Sequence, residues 1–99
     1  MRKPLTLFAG DAGPWGERRI TLHIGRRKVA DLWRRRENVE WATWDSRGIG
    51  GPNSVRATVQ EALGEVLSAL LFQGFVTLLR SDECMAVLKM ARDIDQGRL

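Results

Sequence analysis

The chain has 99 residues, 43% of them apolar and 28% charged, which fits one compact domain, residues 1–99, burying roughly two-thirds of its unfolded surface. No apolar run reaches the roughly 20 residues of a membrane span, which excludes a helical membrane protein. One cysteine, Cys84, and one histidine, His23, exclude an internal disulfide and a tetrahedral Cys/His metal centre, so no metal or other cofactor is expected.

The first residues are basic, but the apolar run after them is too short for a signal peptide and is broken by Asp11. A soluble cytoplasmic protein is expected. The net charge of +4 is unevenly placed. Residues 1–53 hold 11 basic and 6 acidic side chains, and residues 54–99 hold 5 and 6. Eight of the 16 basic residues lie within positions 18–36, and all but Lys3, Lys28 and Lys89 are arginine. Arginine suits bidentate contact with carboxylate or phosphate, and stacking on aromatic rings. A GC-rich genome would supply it without selection for binding.

Residues 4–9 (PLTLFA) read as a short strand, and residues 10–16 as a turn-rich connection. Residues 18–24 (RRITLHI) are the clearest strand, with Ile20, Leu22 and Ile24 alternating against Arg19, Thr21 and His23. Residues 26–36 allow two readings. Val29, Leu32 and Trp33 sit at helical spacing, but Arg26, Arg27 and Lys28 would oppose a helix macrodipole at its N-terminus. Gly25-Arg26 suits a hairpin turn with glycine first, which favours a strand over 28–34 and another over 39–45. In that meander one face is expected to carry Ile20, Leu22, Ile24, Val29, Trp33, Val39 and Trp41. The other carries Phe8, Leu32, Ala42 and Trp44.

Residues 46–53 form a glycine-rich loop. Residues 54–73 then read as the main helix, with Asn53 or Ser54 as its cap and Val55, Val59, Ala62, Leu63, Val66, Leu67, Ala69 and Leu70 on one stripe. Leu71, Phe72 and Phe75 leave that stripe, and Gly74 is expected to break the register. Residues 75–79 would be a buried strand or connector. Ser81 is expected to cap a second helix over 82–95, with Cys84, Val87, Leu88, Ala91 and Ile94 inward and the last residues, 97–99, frayed. The fold class is therefore α+β: an antiparallel sheet of three to four strands in the N-terminal half, packed against two C-terminal helices.

The residues suggest four chemistries. The first is docking on a protein. The apolar groups on the second sheet face and off the main stripe exceed what one small core hides, which calls for a protein partner with an acidic surface or a homodimer. Arg18, Arg19, Arg34, Arg35 and Arg36 would form its charged rim, with Trp44, Phe72 and Phe75 as apolar contacts. The second is nucleic-acid binding through the same arginines, with Arg26, Arg27, Lys28 and Trp33 added. Hairpin geometry weakens it by dividing the cations between the two ends of the sheet.

Strands, a glycine-bearing loop and a helix are similar in outline to double-stranded-RNA-binding modules. The chain lacks their N-terminal helix and the lysine run that opens their main helix, and membership is not inferred.

The third is an anion site at Gly48, Gly50, Gly51 and Arg47, but the order matches neither a dinucleotide fingerprint nor a P-loop, and Pro52 removes a donor. The fourth is catalysis by His23 and Cys84, which nothing local brings together. Asp31, Glu37, Glu40 and Asp45 read as ion-pair partners of the arginines.

The sequence is thus read as a small non-enzymatic binding or regulatory protein, inhibitor- or adaptor-like, of the kind that phages and mobile elements encode. It would dock on a protein partner without crossing a membrane. Nucleic-acid binding is the alternative.

Overall fold

The computed structural model describes residues 4–43, 54–72 and 80–98. Strands β1 (Leu5–Ala9), β2 (Arg18–Ile24), β3 (Arg27–Arg34), β4 (Val39–Thr43) and β5 (Ser54–Arg56) are followed by helices α1 (Val59–Phe72) and α2 (Ser81–Asp95). The sheet is an antiparallel meander in the order β1-β2-β3-β4-β5. The α+β architecture and the four N-terminal-half strands are as read from the sequence. The fifth strand was not foreseen. Residues 54–56, expected in the first turn of the main helix, instead pair with β4, Trp41 lying opposite Ser54 and Val39 opposite Arg56.

The β2–β3 hairpin closes at Gly25-Arg26. Gly25 has φ +62° and Arg26 has negative φ, the type II′ pattern in which only the first central residue needs the left-handed region. The two strands are then joined irregularly. Leu22 pairs with Ala30, but His23 pairs with Lys28, so Val29 is an extra residue in β3. A bulge shifts the phase of everything beyond it. Val29 and Ala30 are both buried, after which Leu32 faces the core and Trp33 the other side. This exchanges the faces expected for those two residues: Leu32 is fully buried, and Trp33 is 38% exposed.

The helices lie together on one side of the sheet. One core joins Leu5, Leu7, Ile20, Leu22, Leu32, Val39 and Trp41 of the sheet to Val59, Leu63, Val66 and Leu70 of α1 and Val87, Ala91 and Ile94 of α2. Helix α1 packs over β3, β4 and β5, and α2 over β1. Glu83 of α2 accepts the Leu5 N–H (2.7 Å).

The start of α1 is anchored from two directions. Thr58 Oγ1 accepts the Glu61 N–H (3.1 Å), the first half of a capping box. Asp95, at the far end of α2, accepts the Val59 N–H at Oδ1 (2.8 Å) and the Gln60 N–H at Oδ2 (3.0 Å). Arg34 completes the tie, with Nη1 2.7 Å from Asp95 Oδ1. Three otherwise orphaned amides of the first turn are thereby satisfied. The cap expected at Asn53 or Ser54 is therefore supplied by Thr58, and Asn53 lies outside the described residues.

Helix α2 has Arg80, not Ser81, at its N-cap, with extended backbone and no side-chain cap bond. Its C-terminus closes on Gly97, and Leu99, the last of the residues expected to fray, lies outside the described residues. Gly97 takes φ +75°, its N–H binds Ile94 O (3.1 Å), and the Arg98 N–H binds Asp93 O (2.8 Å). Those two bonds are the Schellman closure that a left-handed glycine permits.

Candidate docking surface

Among the described residues neither helix covers the second sheet face. Cross-strand register fixes its layout. One row runs Phe8, Thr21, Asp31, Ala42 across β1 to β4, and the next runs Arg19, Trp33, Glu40 across β2 to β4. Thr6, His23 and Lys28 make a third row on the other side of the first. Thr21 and Ala42 are the small side chains of the first row, with Asp31 between them and Phe8 at its β1 end.

Two large apolar side chains stand open here: Phe8, 55% exposed, and Trp33. His23 sits edge-on to Phe8 (centroids 5.0 Å apart, planes at 86°) and its Nε2 is 3.0 Å from Thr21 Oγ1. Arg19 lies over the Trp33 ring, 5.3 Å from its centroid. Its Nε and Nη2 both donate to Asp31 Oδ1, at 3.2 and 3.1 Å. Lys28 Nζ meets the other carboxylate oxygen at 3.1 Å. Asp31 is only 2% exposed although it belongs to the helix-free face, because these long side chains fold over it. A carboxylate this buried needs compensating charge, and two cations supply it.

The basic residues singled out in the sequence divide. Arg18 and Arg34 are cross-strand neighbours at one end of the sheet, and Arg26 and Arg27 lie at the other, so the cations do form two groups. Arg34 turns to the helix side and is held by Asp95. Arg18 donates from Nε to Gly10 O (2.9 Å). Arg35 pairs with Glu40 (3.3 Å) at an exposed position. Arg36 is exposed. Arg19 and Lys28 are placed at the helix-free face by Asp31, and Arg35 by Glu40. Trp44 and Phe75 lie outside the described residues. Phe72 ends α1, and its side chain is outside the description too. The contact surface expected around the end of α1 and the glycine-rich anion site at Gly48, Gly50 and Gly51 fall in the same undescribed stretches.

His23 and Cys84 are on opposite sides of the sheet, one on the helix-free face and one in α2 against the core, so they form no dyad. Burial pushes the Cys84 thiol above its ordinary range, and the charges of Glu83 and Asp82 push it further the same way. No group of three metal-ligating side chains occurs among the described residues. No helix among them is long and apolar enough to cross a membrane. A groove of about 480 Å³ runs between the helices, lined by Gln60, Asp82, Met85, Leu88, Lys89 and Arg92.

Sequence reasoning missed three participants. Asp31 was read as one of several surface ion-pair partners rather than a buried anchor. Asp95 was read only as a helix end. Trp33 was placed on the wrong face. No family model matches the chain, and searches of curated proteins and of solved structures find no match either.

Proposed function

We propose that this chain is a small non-enzymatic binding protein that docks through its helix-free sheet face on a protein partner with an acidic surface, acting as a regulator or inhibitor in a cytoplasmic setting. The observation that carries the reading is the grouping of Phe8, Trp33 and Arg19 on that face. Aromatic residues and arginine dominate the energetics of protein interfaces. A helix-free sheet face holding them is a surface on which a partner gains apolar contact.

Charge bookkeeping favours a protein over a nucleic acid. Of the eight basic residues at positions 18–36, Arg19, Lys28, Arg34 and Arg35 already face carboxylates. Affinity for a polyphosphate backbone comes from several Lys and Arg side chains neutralising phosphates together and releasing their condensed counterions. Glu40 beside Trp33 would oppose it.

The test is comparative affinity capture from host lysate, with proteins and nucleic acids read from one eluate. Wild type, the Phe8→Ala/Trp33→Ala double variant and Met85→Ala, a helix-side control, serve as baits. A protein retained by wild type and Met85→Ala but lost by the double variant supports the proposal. Tight nucleic-acid binding with a steep salt dependence overturns it, as does a protein set that the double variant leaves unchanged. Sedimentation over a dilution series reports whether the occupant is a second copy of the chain.

A further inference from the structure

The inference rests on the docking reading above and adds the connection between β1 and β2 to it. Residues 10–17 (GDAGPWGE) are closed by their own hydrogen bonds. The Gly16 N–H binds Gly13 O (3.0 Å), making a turn with Pro14 second and Gly16 fourth, the places those residues favour in a type I turn. The Gly13 N–H returns to Glu17 O (2.8 Å), and the Glu17 carboxylate accepts the Trp15 N–H (3.0 Å). Gly16 takes φ +79°, which an L side chain rarely adopts, and a Cβ at Gly13 would collide with the Glu17 carboxylate. The base of the loop is fixed by the Gly10 N–H on Arg19 O (2.9 Å) and by Arg18 Nε on Gly10 O (2.9 Å).

What this loop holds out is an indole. Trp15 is 76% exposed, the most exposed large apolar side chain among the described residues. Its neighbours Gly13, Pro14 and Gly16 are small, so a partner can close around the ring. The loop leaves the sheet beside Arg19, whose row carries Trp33 and Glu40, and so continues one end of the docking face. The charged side chains of residues 10–17, Asp11 and Glu17, are both acids, which opposes a polyphosphate or an anionic bilayer at this point.

We propose that Trp15 anchors the docking surface by entering an apolar pocket in the protein partner that covers Phe8 and Trp33, with the indole Nε1 donating to an acceptor inside it. Tryptophan is among the residues that dominate interface energetics, and it does so from enclosed pockets. Glu17 is a positioning residue that holds the Trp15 backbone and does not touch the partner. Fixing the loop in advance removes much of the ordering cost that binding otherwise carries.

The experiment uses the full chain as bait for a phage-displayed library of folded protein domains. Enriched domains are titrated against wild type, Trp15→Ala, Trp15→Phe, Glu17→Ala, Glu17→Gln and the Phe8→Ala/Trp33→Ala double variant, each confirmed folded by circular dichroism. Trp15→Ala should weaken binding about 30-fold or more, the scale of an interface hot spot, and Trp15→Phe should keep part of the affinity. Glu17→Ala should weaken it about three- to tenfold, the scale of one hydrogen bond, whereas the amide oxygen of Glu17→Gln still accepts the Trp15 N–H and should restore it. In the free wild-type chain the amides of Gly13, Trp15 and Glu17 should have NMR order parameters of about 0.85, as in rigid backbone. In a fluorotryptophan-labelled chain, the fluorine resonance that Trp15→Phe removes should shift and lose its solvent isotope effect when the domain is added.

Domains that respond to Phe8→Ala/Trp33→Ala but not to Trp15→Ala would overturn the anchor while leaving the docking face standing. Domains that respond to Trp15→Ala alone would uphold the anchor and overturn the sheet face. No enrichment over a Phe8→Ala/Trp15→Ala/Trp33→Ala bait would overturn both. Order parameters below about 0.6 across the loop would overturn its pre-set geometry and with it the role of Glu17. Binding to mixed phosphatidylcholine–phosphatidylglycerol vesicles that Trp15→Ala abolishes would overturn the assignment to a protein pocket.

Discussion

Replacing Asp95 tests how the sheet and both helices are locked together. Its carboxylate accepts the Val59 and Gln60 amides and faces Arg34 of β3. Asp95→Ala removes a cap-like pair of acceptors, worth about 1 kcal/mol and at most about 2. It also removes a negative charge from the positive end of α1, worth about 0.3–1 kcal/mol. The Arg34 pair is part-exposed, so its loss adds no more than about 1 kcal/mol. The expected cost is about 2–3 kcal/mol, a large share of the roughly 5–15 kcal/mol by which a domain is stable. At roughly 4–8 °C per kcal/mol for a chain of this size, the melting temperature should fall by about 10–20 °C. Asp95→Asn keeps one oxygen acceptor and should lose about half as much. Urea unfolding followed by circular dichroism measures the shift, with the slope unchanged between variants. A double-mutant cycle with Arg34→Ala isolates the ion pair, and the coupling should be positive but below about 1 kcal/mol. A loss under about 0.5 kcal/mol for Asp95→Ala would refute the interhelical cap.

Three further outcomes follow from the same structure. Leu32→Ala should cost about 2–5 kcal/mol by leaving a cavity, whereas Trp33→Ala should cost under about 1.5, and chemical denaturation of the pair reads the phase set by the bulge directly. Gly64 lies inside α1 with open space where a Cβ would go, so Gly64→Ala should raise stability by about 0.5–1 kcal/mol in the same assay. Alkylation of Cys84 should set in at higher pH in the folded chain than in urea, because burial, then Glu83 and Asp82, raise its pKa above 9.0. The sign of the linkage follows: this contribution to stability is complete below the unfolded value of 9.0 and is lost as pH rises through the folded value. Glu83→Gln should shift the onset of alkylation back toward the unfolded profile.

The strands were legible because their apolar residues alternate. Ile20, Leu22 and Ile24 are all core, and Gly25 turns the chain as a first-position hairpin glycine does. The bulge was hidden for a local reason. Val29 and Ala30 are adjacent and both small and apolar, so either can be taken as the inward residue, and the choice flips Leu32 and Trp33. That one ambiguity decided how the docking face was read, since it moved Trp33 off it.

The start of α1 was misread although its signal was present. Thr58-Val59-Gln60-Glu61 has capping-box spacing, but Ser54 and Val55 extend the apparent stripe backwards and draw the boundary with them. Asp95 had no such signal. It lies 36 residues from Val59 and 61 from Arg34, and only tertiary packing brings them together. Asp31 is the same case on the other face: its neighbours Arg19 and Lys28 were visible as charges, but its burial depends on how three strands meet.

The central claim is that the helix-free sheet face is where a partner binds. The most direct test is amide hydrogen exchange of the full chain, alone and saturated with the protein recovered by the comparative affinity capture. The account predicts added protection in β1, β2 and β3 around Phe8, Arg19, Thr21 and Trp33, with the exposed turns of α2 at Met85 and Lys89 unchanged. Protection confined to the groove lined by Gln60, Met85 and Lys89, with the strands unaffected, would contradict it.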